Sequence, residues 1–444
     1  MGREWRSTDR EIVILAVPAF LALVAEPMFL LADAAIIGHL GTPELAGLGI
    51  AGAIIQTAVG LCVFLAYGTT ASVARQLGAG NLRAAIAQGI DGIWLAVIIG
   101  VLTTLVGIIA TPWLVGLFGA SGGVAGHATA YLRIAFLGTT PLLVMLAATG
   151  VLRGMLDTRT PLVAAVGGNL LNIAFNFALV YGLGPIPALG LPGAAIGSVL
   201  AQLLMAAFLV AVVVRGARRE GSSLRPDIPG ITAAAHAGVA LVVRTLTLRA
   251  ALLVTTYAAV RAGGDTGMAA HQLAMTIWSF LAFVLDAVAI AAQALTGRAL
   301  GSGDRERTRR LTRRMVQWGL VSGIVTGLGV AAVSGVVGHL FTSDQAVIDR
   351  LVPLLLMAAL TQPIAGYVFV LDGVLIGAGD GAYLAWAGLA VLIAYAPVAL
   401  LVPGLVWLWA AFGFVFMAGR AITLGLRARG DAWMVTGGVR ESAV

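Results

Sequence analysis

Long apolar runs separated by short polar connections recur along the whole of this sequence. A run of about 18 or more apolar residues can cross a hydrocarbon core of roughly 30 Å as a helix. Hydropathy and the turn-forming residues between the runs predict twelve such helices. They cover about residues 12–38, 45–74, 88–111, 129–152, 161–182, 192–215, 234–261, 268–297, 315–340, 351–377, 382–402 and 405–427. We therefore predict an all-α integral membrane protein with twelve transmembrane helices.

Arginine-rich connections alternate with connections that are nearly free of arginine. The second, fourth, sixth and eighth connections carry most of the positive charge, including Arg75, Arg83, Arg153, Arg159, Arg218, Arg219, Arg305 and Arg307. Positive loops mark the cytoplasmic side, so both termini are predicted to be cytoplasmic in a bacterial inner membrane. Because the charge alternates with the loops, the 27 basic residues indicate topology and contact with membrane lipids, not binding of nucleic acid.

Two sequence blocks recur at one constant offset of 223 residues. ARQLGAGN at Ala74–Asn81 matches GRALGSGD at Gly297–Asp304, and GVLRGMLD at Gly150–Asp157 matches GVLIGAGD at Gly373–Asp380. The repeat predicts an N-terminal lobe at 1–215, a cytoplasmic linker at 216–232 and a C-terminal lobe at 233–444. Two pseudo-symmetric six-helix lobes around a central cleft suit transport by alternating access. The alternative is that the duplication only builds a stable bundle.

Asp33 lies in the first predicted helix, about six residues before its outer end. Asn176 in the fifth helix and Ser198 in the sixth lie at similar depth, roughly 9 Å below the same edge. An ionisable group in hydrocarbon costs roughly 2.5–3.5 kcal/mol, so these groups are expected to share a polar pocket. Burial disfavours a charged carboxylate whereas hydrogen bonds favour it, so its proton affinity can follow access to water. Asp33 is therefore predicted to couple transport to protons.

Asn169, Asn172 and Asn176 follow an i, i+3, i+7 pattern and form a polar stripe on the fifth helix. Asn172 and Asn176 are assigned with Ser198 to the proton-coupling group, and Asn169 to the wall of a substrate cavity. Glu26 precedes Asp33 by seven residues and is predicted to join the same group, two turns deeper. Structural hydrogen bonding across helices is the alternative for the asparagines.

The second half carries a different set of charges at membrane depth, namely Arg244, Arg249, Asp286 and Asp372. Arg244 and Asp286 lie at similar depth and are expected either to neutralise each other as a buried pair or to line the substrate cavity. Asp372 and Arg249 are assigned to the same cavity. In the second interpretation, the carboxylates would bind a cationic substrate or a coupling ion.

The remaining chemistry-bearing residues indicate neither an enzyme nor a metal site. Cys62 is the single cysteine, and the five histidines are scattered without the spacing of metal ligands. The predicted helices also contain no arrangement of nucleophile and base. We therefore predict a non-enzymatic protein that needs no cofactor beyond a coupling ion.

Several segments resemble the multidrug and toxic compound extrusion (MATE) transporters, and most of all their DinF-like branch. ADAAIIGHLGTPELAGLG, which contains Asp33, is similar to the first-helix signature of that family. GNLLNIAFNFALVYGLG, LPGAAIGSVLAQ and FVLDGVLIGAGD lie where the branch has similar segments. The resemblance implies a monomer that exports bulky, often cationic, amphipathic compounds against protons or sodium ions.

The resemblance also implies that Asp33 is the main protonation site, with Asn172, Asn176 and Ser198 in its hydrogen-bond network. Asn176 stands where members of the branch often carry aspartate, which weakens the case for sodium because hard cations prefer several oxygen ligands including carboxylates. The predicted function is therefore a proton-coupled multidrug exporter. The alternatives are a sodium-coupled antiporter and a flippase for a lipid-linked precursor, which would use Arg244 and Arg249 to hold pyrophosphate.

Overall fold

The computed structural model describes residues 2–119 and 122–438 of the chain. These residues are almost entirely helical, and their one strand-like pairing is an isolated bridge between Leu183 and Ile186. The end of the predicted C-terminal lobe, residues 439–444, lies outside the described residues. The helices are α1 (Ser7–Gly38), α2 (Thr42–Gly78), α3 (Leu82–Gly116), α4 (Gly122–Gly154), α5 (Arg159–Tyr181), α6 (Leu191–Arg219), α7 (228–263), α8 (265–301), α9 (Arg305–Leu340), α10 (Gln345–Gly377), α11 (Gly381–Leu401) and α12 (Leu405–Arg429).

The division between α7 and α8 depends on one glycine. The segment Ile228–Gly301 runs for 74 residues, which as one straight helix would measure roughly 110 Å. Its backbone leaves helical geometry at Gly264, where φ is 58°. Glycine adopts this left-handed conformation without the steric penalty of a side chain, so two helices meet there. The predicted count of twelve helices is confirmed.

The predicted helices are too short mainly at their arginine-rich ends. α9 begins at Arg305 and not near 315, α3 begins at Leu82 and not near 88, and α6 continues to Arg219 beyond the predicted 215. Arginine lowers the hydropathy of these turns but is a good helix former. Its long stem can lie along apolar surface while the guanidinium reaches water, so the helices continue past the apolar region.

The helix surfaces are those of a protein that lies in lipid. Leu31, Ile109 and Leu401 are 68%, 81% and 83% exposed, and many other large apolar side chains point outward. Contiguous apolar surface of this extent is rare on soluble monomers. By length and composition, the described part of the chain has eleven continuous helical segments that could each cross a membrane, and the longest of them contains both α7 and α8. The chain is a multi-pass membrane protein.

The chain forms two compact units with unequal sequence boundaries. One unit comprises Leu21–His236 and the other comprises Met1–Phe20 together with Ala237–Val444. We call them the first unit and the second unit. The first turns of α1 therefore pack with the second half of the sequence, whereas the first turns of α7 pack with the first half. The predicted lobe and linker boundaries stay a prediction.

The repeat of 223 residues extends to backbone contacts between helices. Gly150 of α4 faces the backbone of Ala66 in α2, and a Cβ atom there would lie only 2.6 Å from the Ala66 carbonyl oxygen. Gly373 of α10 faces Ala289 in α8 in the same way, and both of these residues are displaced by 223 from the first pair. In both halves, therefore, a glycine allows close contact between equivalent helices, α4 with α2 in the first half and α10 with α8 in the second.

The connections at the arginine-rich ends are repeated as well. Gly80 and Gly303 have φ values of 77° and 79° after the ends of α2 and α8. The next residue in each half caps the following helix, since Asn81 accepts from the Ala84 N–H and Asp304 accepts from the Arg307 N–H. The similar turns explain why these short blocks stand out as a repeat, because their glycines and caps are required by the backbone.

Candidate functional site

Asp33 and Asn176 meet inside the first unit. Asp33 on α1 is 6% exposed and Asn176 on α5 is fully buried. The Asn176 side-chain amide donates a hydrogen bond to the Asp33 carboxylate. No arginine or histidine among the described residues forms an ion pair with Asp33. The carboxylate is thus held by a neutral partner in a buried position.

Asn172 and Ser198 form the second contact of this group. The Asn172 Nδ2 atom donates to the Ser198 hydroxyl over 3.3 Å, and both residues are buried. The shared depth that the sequence predicts for Asp33, Asn176 and Ser198 thus corresponds to one cluster of polar groups on α1, α5 and α6. We call Asp33, Asn172, Asn176 and Ser198 the Asp33 cluster.

Small residues bring α5 and α6 close enough to form this cluster. Gly193 of α6 faces the carbonyl of Leu179, and Gly197 faces the side chain and backbone of Asn176. A Cβ atom at position 197 would lie 3.0 Å from the Asn176 backbone nitrogen. Glycines four residues apart allow two membrane helices to approach at backbone distance. Asn176 is therefore positioned by a glycine face of α6.

Tyr131 of α4 also belongs to the site, and the sequence did not identify it. Its hydroxyl is within hydrogen-bonding reach of Ser198, and Tyr131 lies close enough to Asp33 to interact electrostatically with the carboxylate. Tyr131 is buried in an apolar cluster with Leu132, Val180 and Ala195. One wall of the site is therefore apolar, while the Oδ1 atoms of Asn172 and Asn176 are buried and accept no hydrogen bond from any residue that the structure describes.

The two other predicted residues of the first unit are placed differently. Asn169 is half-buried, and its Nδ2 atom donates to the Ala25 carbonyl of α1 over 3.1 Å. Glu26 is exposed, and it has no hydrogen-bond or ion-pair partner in the part of the chain that the structure describes. Pro27 follows Glu26 and has no N–H to donate, so α1 lacks one of its own hydrogen bonds here. Asn169 therefore bonds α1 near a position where the helix is weakened.

The second unit contains a charged cluster centred on Asp372, with Arg244 and Arg420. Arg244 of α7 donates through Nε to Oδ1 of Asp372 over 3.2 Å and through Nη2 to Oδ2. Arg420 of α12 donates through Nη2 to Oδ1 over 2.9 Å, and its side chain is 9% exposed. We call these three residues the Asp372 cluster. Its carboxylate accepts hydrogen bonds from two guanidinium groups.

Arg420 is a residue that sequence reasoning missed, although an arginine inside the last apolar run is itself a signal. The structure shows Arg244 bound to Asp372, and the pairing of Arg244 with Asp286, one of the two alternatives for these charges, stays a prediction. Asp286 is half-buried and has an interaction of its own. Arg249 is exposed. The structure therefore gathers two of the four charges that were assigned to a cavity in this half.

The described residues contain no group of three or more His, Cys, Asp or Glu side chains that could hold a metal ion. What the Asp33 cluster offers is one carboxyl group with a neutral hydrogen-bond partner, Asn176. Such a group can bind and release a proton as its contact with water changes. The Asp372 cluster offers no comparable group, because two cations hold its carboxylate.

Comparison with known proteins gives matches over most of the chain. The sequence model of the MatE family matches residues 18–178 and 240–401, two segments displaced by nearly the same length as the internal repeat. Protein DETOXIFICATION 44, chloroplastic, of Arabidopsis thaliana is 30% identical over 437 residues, covering 93% of this chain and 80% of the relative. DNA damage-inducible protein F of Escherichia coli is 28% identical over 379 residues, covering 84% and 81%.

The fold is also found among solved structures. A transporter of the MOP superfamily from Pyrococcus furiosus superposes with a TM-score of 0.85 at 21% identity, covering 95% of both chains. At this identity the likeness shows the fold, and the predicted arrangement of twelve helices in two lobes is the fold of these transporters.

Proposed function

The chain belongs to the MatE family, whose members are transporters and not enzymes, and from this premise we propose a proton-coupled exporter of small amphipathic, often cationic, compounds. The resemblance of the sequence to this family is confirmed. In the proposed cycle Asp33 binds a proton from outside and releases it inside, while substrate moves outward. The observation that carries the proposal is the burial of Asp33 beside a neutral amide.

The partner of Asp33 decides what the carboxylate can do. A guanidinium would keep it ionised, as in the Asp372 cluster, and proton exchange would then require breaking an ion pair. Asn176 stabilises the ionised form through one hydrogen bond only. The apolar wall around Tyr131 disfavours that form. Opposed effects of this kind allow a modest change in hydration to move the proton.

Proton coupling suits this site better than sodium coupling. Sodium is a hard cation and needs several oxygen ligands, preferably including carboxylates. The cluster offers the single carboxylate of Asp33, and Asn176 presents its NH₂ group to it. A donor in that position competes with a cation for the same oxygen. A flippase for pyrophosphate-linked lipids gains little support, because Arg244 is already bound to Asp372, which leaves Arg249 of the two arginines expected to hold pyrophosphate.

We further propose that the protein is a monomer in a bacterial cytoplasmic membrane with both termini inside. The support is the alternation of arginine along the loops, which assigns the arginine-rich helix ends to the cytoplasm. Labelling of single cysteines with an impermeant thiol reagent in intact cells, in a Cys62→Ser background, tests the orientation. A cysteine at Arg313 should stay unlabelled until the cells are opened.

Transport into inverted membrane vesicles tests the proposed coupling. Vesicles with an acidic lumen should accumulate a fluorescent cation such as ethidium, and Asp33→Asn should reduce the accumulation at least about tenfold by removing the only acid of the cluster. Asp349→Asn is the matched control, since Asp349 is an exposed aspartate on α10. Equal accumulation in wild type and Asp33→Asn would remove Asp33 from the mechanism. Accumulation driven by a sodium gradient without a pH gradient would assign the coupling to sodium.

A further inference from the structure

The first turns of α1 are fixed to α9 by a three-residue contact in the second unit. Arg314 donates to Asp9 twice, from Nε to Oδ1 over 2.6 Å and from Nη2 to Oδ2 over 2.7 Å. The Trp318 indole N–H donates to Oδ1 of the same carboxylate over 2.9 Å. Paired donation by one guanidinium fixes direction as well as distance. The start of α1 is therefore bound in a defined orientation.

The start of α7 is fixed to α3 by a corresponding contact in the first unit. The buried Asp91 carboxylate of α3 accepts from the Asp227 backbone N–H over 3.3 Å, immediately before α7. The Trp94 indole N–H donates to the Leu224 carbonyl over 3.1 Å. Gly230 lies against the Asp91 carboxylate, and a Cβ atom there would lie 2.9 Å from its Cγ. The absence of a side chain at position 230 allows this close approach.

These two contacts occupy equivalent places in the repeat. Asp91 and Arg314 are separated by 223 residues, the offset that relates the two halves. Each lies on the third helix of its half, and each binds the beginning of the helix that starts the other half. In both, a tryptophan one turn further along the third helix donates to the bound segment, Trp94 to the Leu224 carbonyl and Trp318 to the Asp9 carboxylate. Their chemistry differs, and Asp9 corresponds in the repeat to Thr232, five residues after Asp227. The equivalence therefore lies in Asp91 and Arg314 and in the helices that they join.

The borders of the units agree with this arrangement. α1 passes from the second unit to the first between Phe20 and Leu21, and α7 passes from the first to the second between His236 and Ala237. Pro18 and Gly238 lie within two residues of these borders, and both weaken a helix locally. A movement of one unit against the other must be taken up within these two helices, because their first turns are bound to the opposite unit.

We propose that the two contacts are paired anchors, in which each unit holds the first turns of the helix that begins the other half. During transport α1 and α7 bend at the unit borders while their arginine-rich ends stay bound. This inference rests on the proposed alternating-access function. It adds that Asp9, Arg314 and Trp318 on one side, and Asp91 and Trp94 on the other, set where the two helices bend.

Spin labels measure the first anchor without any substrate. In a Cys62→Ser background, labels at Val13→Cys of α1 and Arg313→Cys of α9 should give one narrow distance distribution. Asp9→Asn should broaden it, since the paired bond to Arg314 is lost. The double reversal Asp9→Arg with Arg314→Asp should narrow it again. The matched control is Glu306→Gln, which removes an exposed ion pair with Arg310 on the same helix and should change nothing.

Transport provides the second measurement on the same proteins. Asp9→Asn should reduce ethidium accumulation about fivefold, the effect of about 1 kcal/mol on a conformational equilibrium, and the double reversal should restore it. An unchanged distribution in Asp9→Asn, or a broadened one with full accumulation, would overturn the proposed role of the anchor. If wild type itself fails to transport ethidium, the distances still decide the anchor, so the two failures are distinguishable.

The second anchor is measured in the same way. Labels at Ala233→Cys of α7 and Ile98→Cys of α3 should give a narrow distribution, and Asp91→Ala should broaden it by removing the acceptor for the Asp227 N–H. Asp349→Ala is the control for loss of an exposed aspartate. If the two anchors act as a pair, Asp9→Asn and Asp91→Ala should each impair transport. If only one of them does so, the paired arrangement is wrong.

Discussion

The two units treat a buried aspartate in opposite ways. Asp33 has a neutral amide as its partner, whereas Asp372 is bound by Arg244 and Arg420. Positions 33 and 176 correspond in the repeat to Thr256 and Ala399, so the second unit has no counterpart of the Asp33 cluster. A duplicated scaffold thus carries one buried carboxylate with a neutral partner, at the site proposed to exchange a proton, and one carboxylate that is bound by two cations. Asp33 interacts with an uncharged amide through one hydrogen bond, whereas Asp372 forms ion pairs with two arginines.

The largest expected effect is on the free energy of unfolding, which should fall more when Asp372 is replaced than when Asp33 is replaced. Asp372→Leu leaves Arg244 and Arg420 without their anion and should lower the free energy of unfolding by about 3–5 kcal/mol. Asp33→Leu leaves mainly the Asn176 amide unsatisfied and should cost about 1–3 kcal/mol. Thermal unfolding in detergent measures both. Asp349→Leu, at an exposed site, should stay within about 0.5 kcal/mol of wild type. Equal losses for Asp372→Leu and Asp33→Leu would contradict the distinction.

Gly197→Ala tests whether close contact between α5 and α6 positions the Asp33 cluster. The added methyl group would press on Asn176, so we expect a loss of about 1–3 kcal/mol in stability and a parallel loss of transport. Gly167→Ala on α5 is the control, because a Cβ atom there meets no atom within 4 Å. Full transport by Gly197→Ala would show that the cluster tolerates a displaced Asn176.

Asn176→Asp sharpens the choice of coupling ion. The variant provides a second carboxylate beside Asp33 and so adds the oxygen ligand that sodium lacks in the present site. Ethidium accumulation driven by a sodium gradient should rise about fivefold above that of wild type, corresponding to about 1 kcal/mol of added binding. Asn176→Leu serves as the control, because it removes the amide without adding a carboxylate, and it should show no sodium response. An unchanged response in Asn176→Asp would mean that more than a carboxylate is missing.

The smallest expected effect concerns a turn that the two halves share. Leu156 has a φ of 64° where its counterpart Gly379 has 70°. A left-handed conformation costs a residue with a side chain about 1–2 kcal/mol. Glycine avoids this cost, but it loses more conformational entropy on folding, which offsets part of the difference. Leu156→Gly should therefore stabilise the protein by about 0.5–1 kcal/mol, and Gly379→Ala should destabilise it. Thermal unfolding of both variants would show whether the two turns are equivalent.

The sequence predicted the helices, the repeat and all four members of the Asp33 cluster because these follow from distances along the chain. Counting residues from a helix end gives the depth of Asp33, Asn176 and Ser198, and periodicity gives the face of α5 that carries the asparagines. Neither tells which helices are neighbours. The contacts of Tyr131 with Ser198, and of Arg244 with Asp372, depend on helix packing across the unit and could not be obtained in this way.

Packing also explains the different positions of Asp33 and Glu26. Seven residues apart on a helix, they were expected on nearly the same face, yet Asp33 is buried and Glu26 is exposed. α1 contains Pro18 and Pro27, and its first turns belong to the other unit. A helix that changes its packing partners along its length does not keep one buried face, so periodicity alone does not place both residues.

A lone acid in the Asp33 cluster has a consequence for energetics. If one proton enters for each monovalent cation that leaves, the exchange moves no net charge, and the membrane voltage neither drives nor opposes it. Each unit of pH difference then supplies about 1.4 kcal/mol, enough for about a tenfold concentration ratio of the exported compound. Under the proposed proton coupling, a site with one carboxylate would thus make the export of a monovalent cation indifferent to electrical potential and would limit how steep a gradient the protein can maintain.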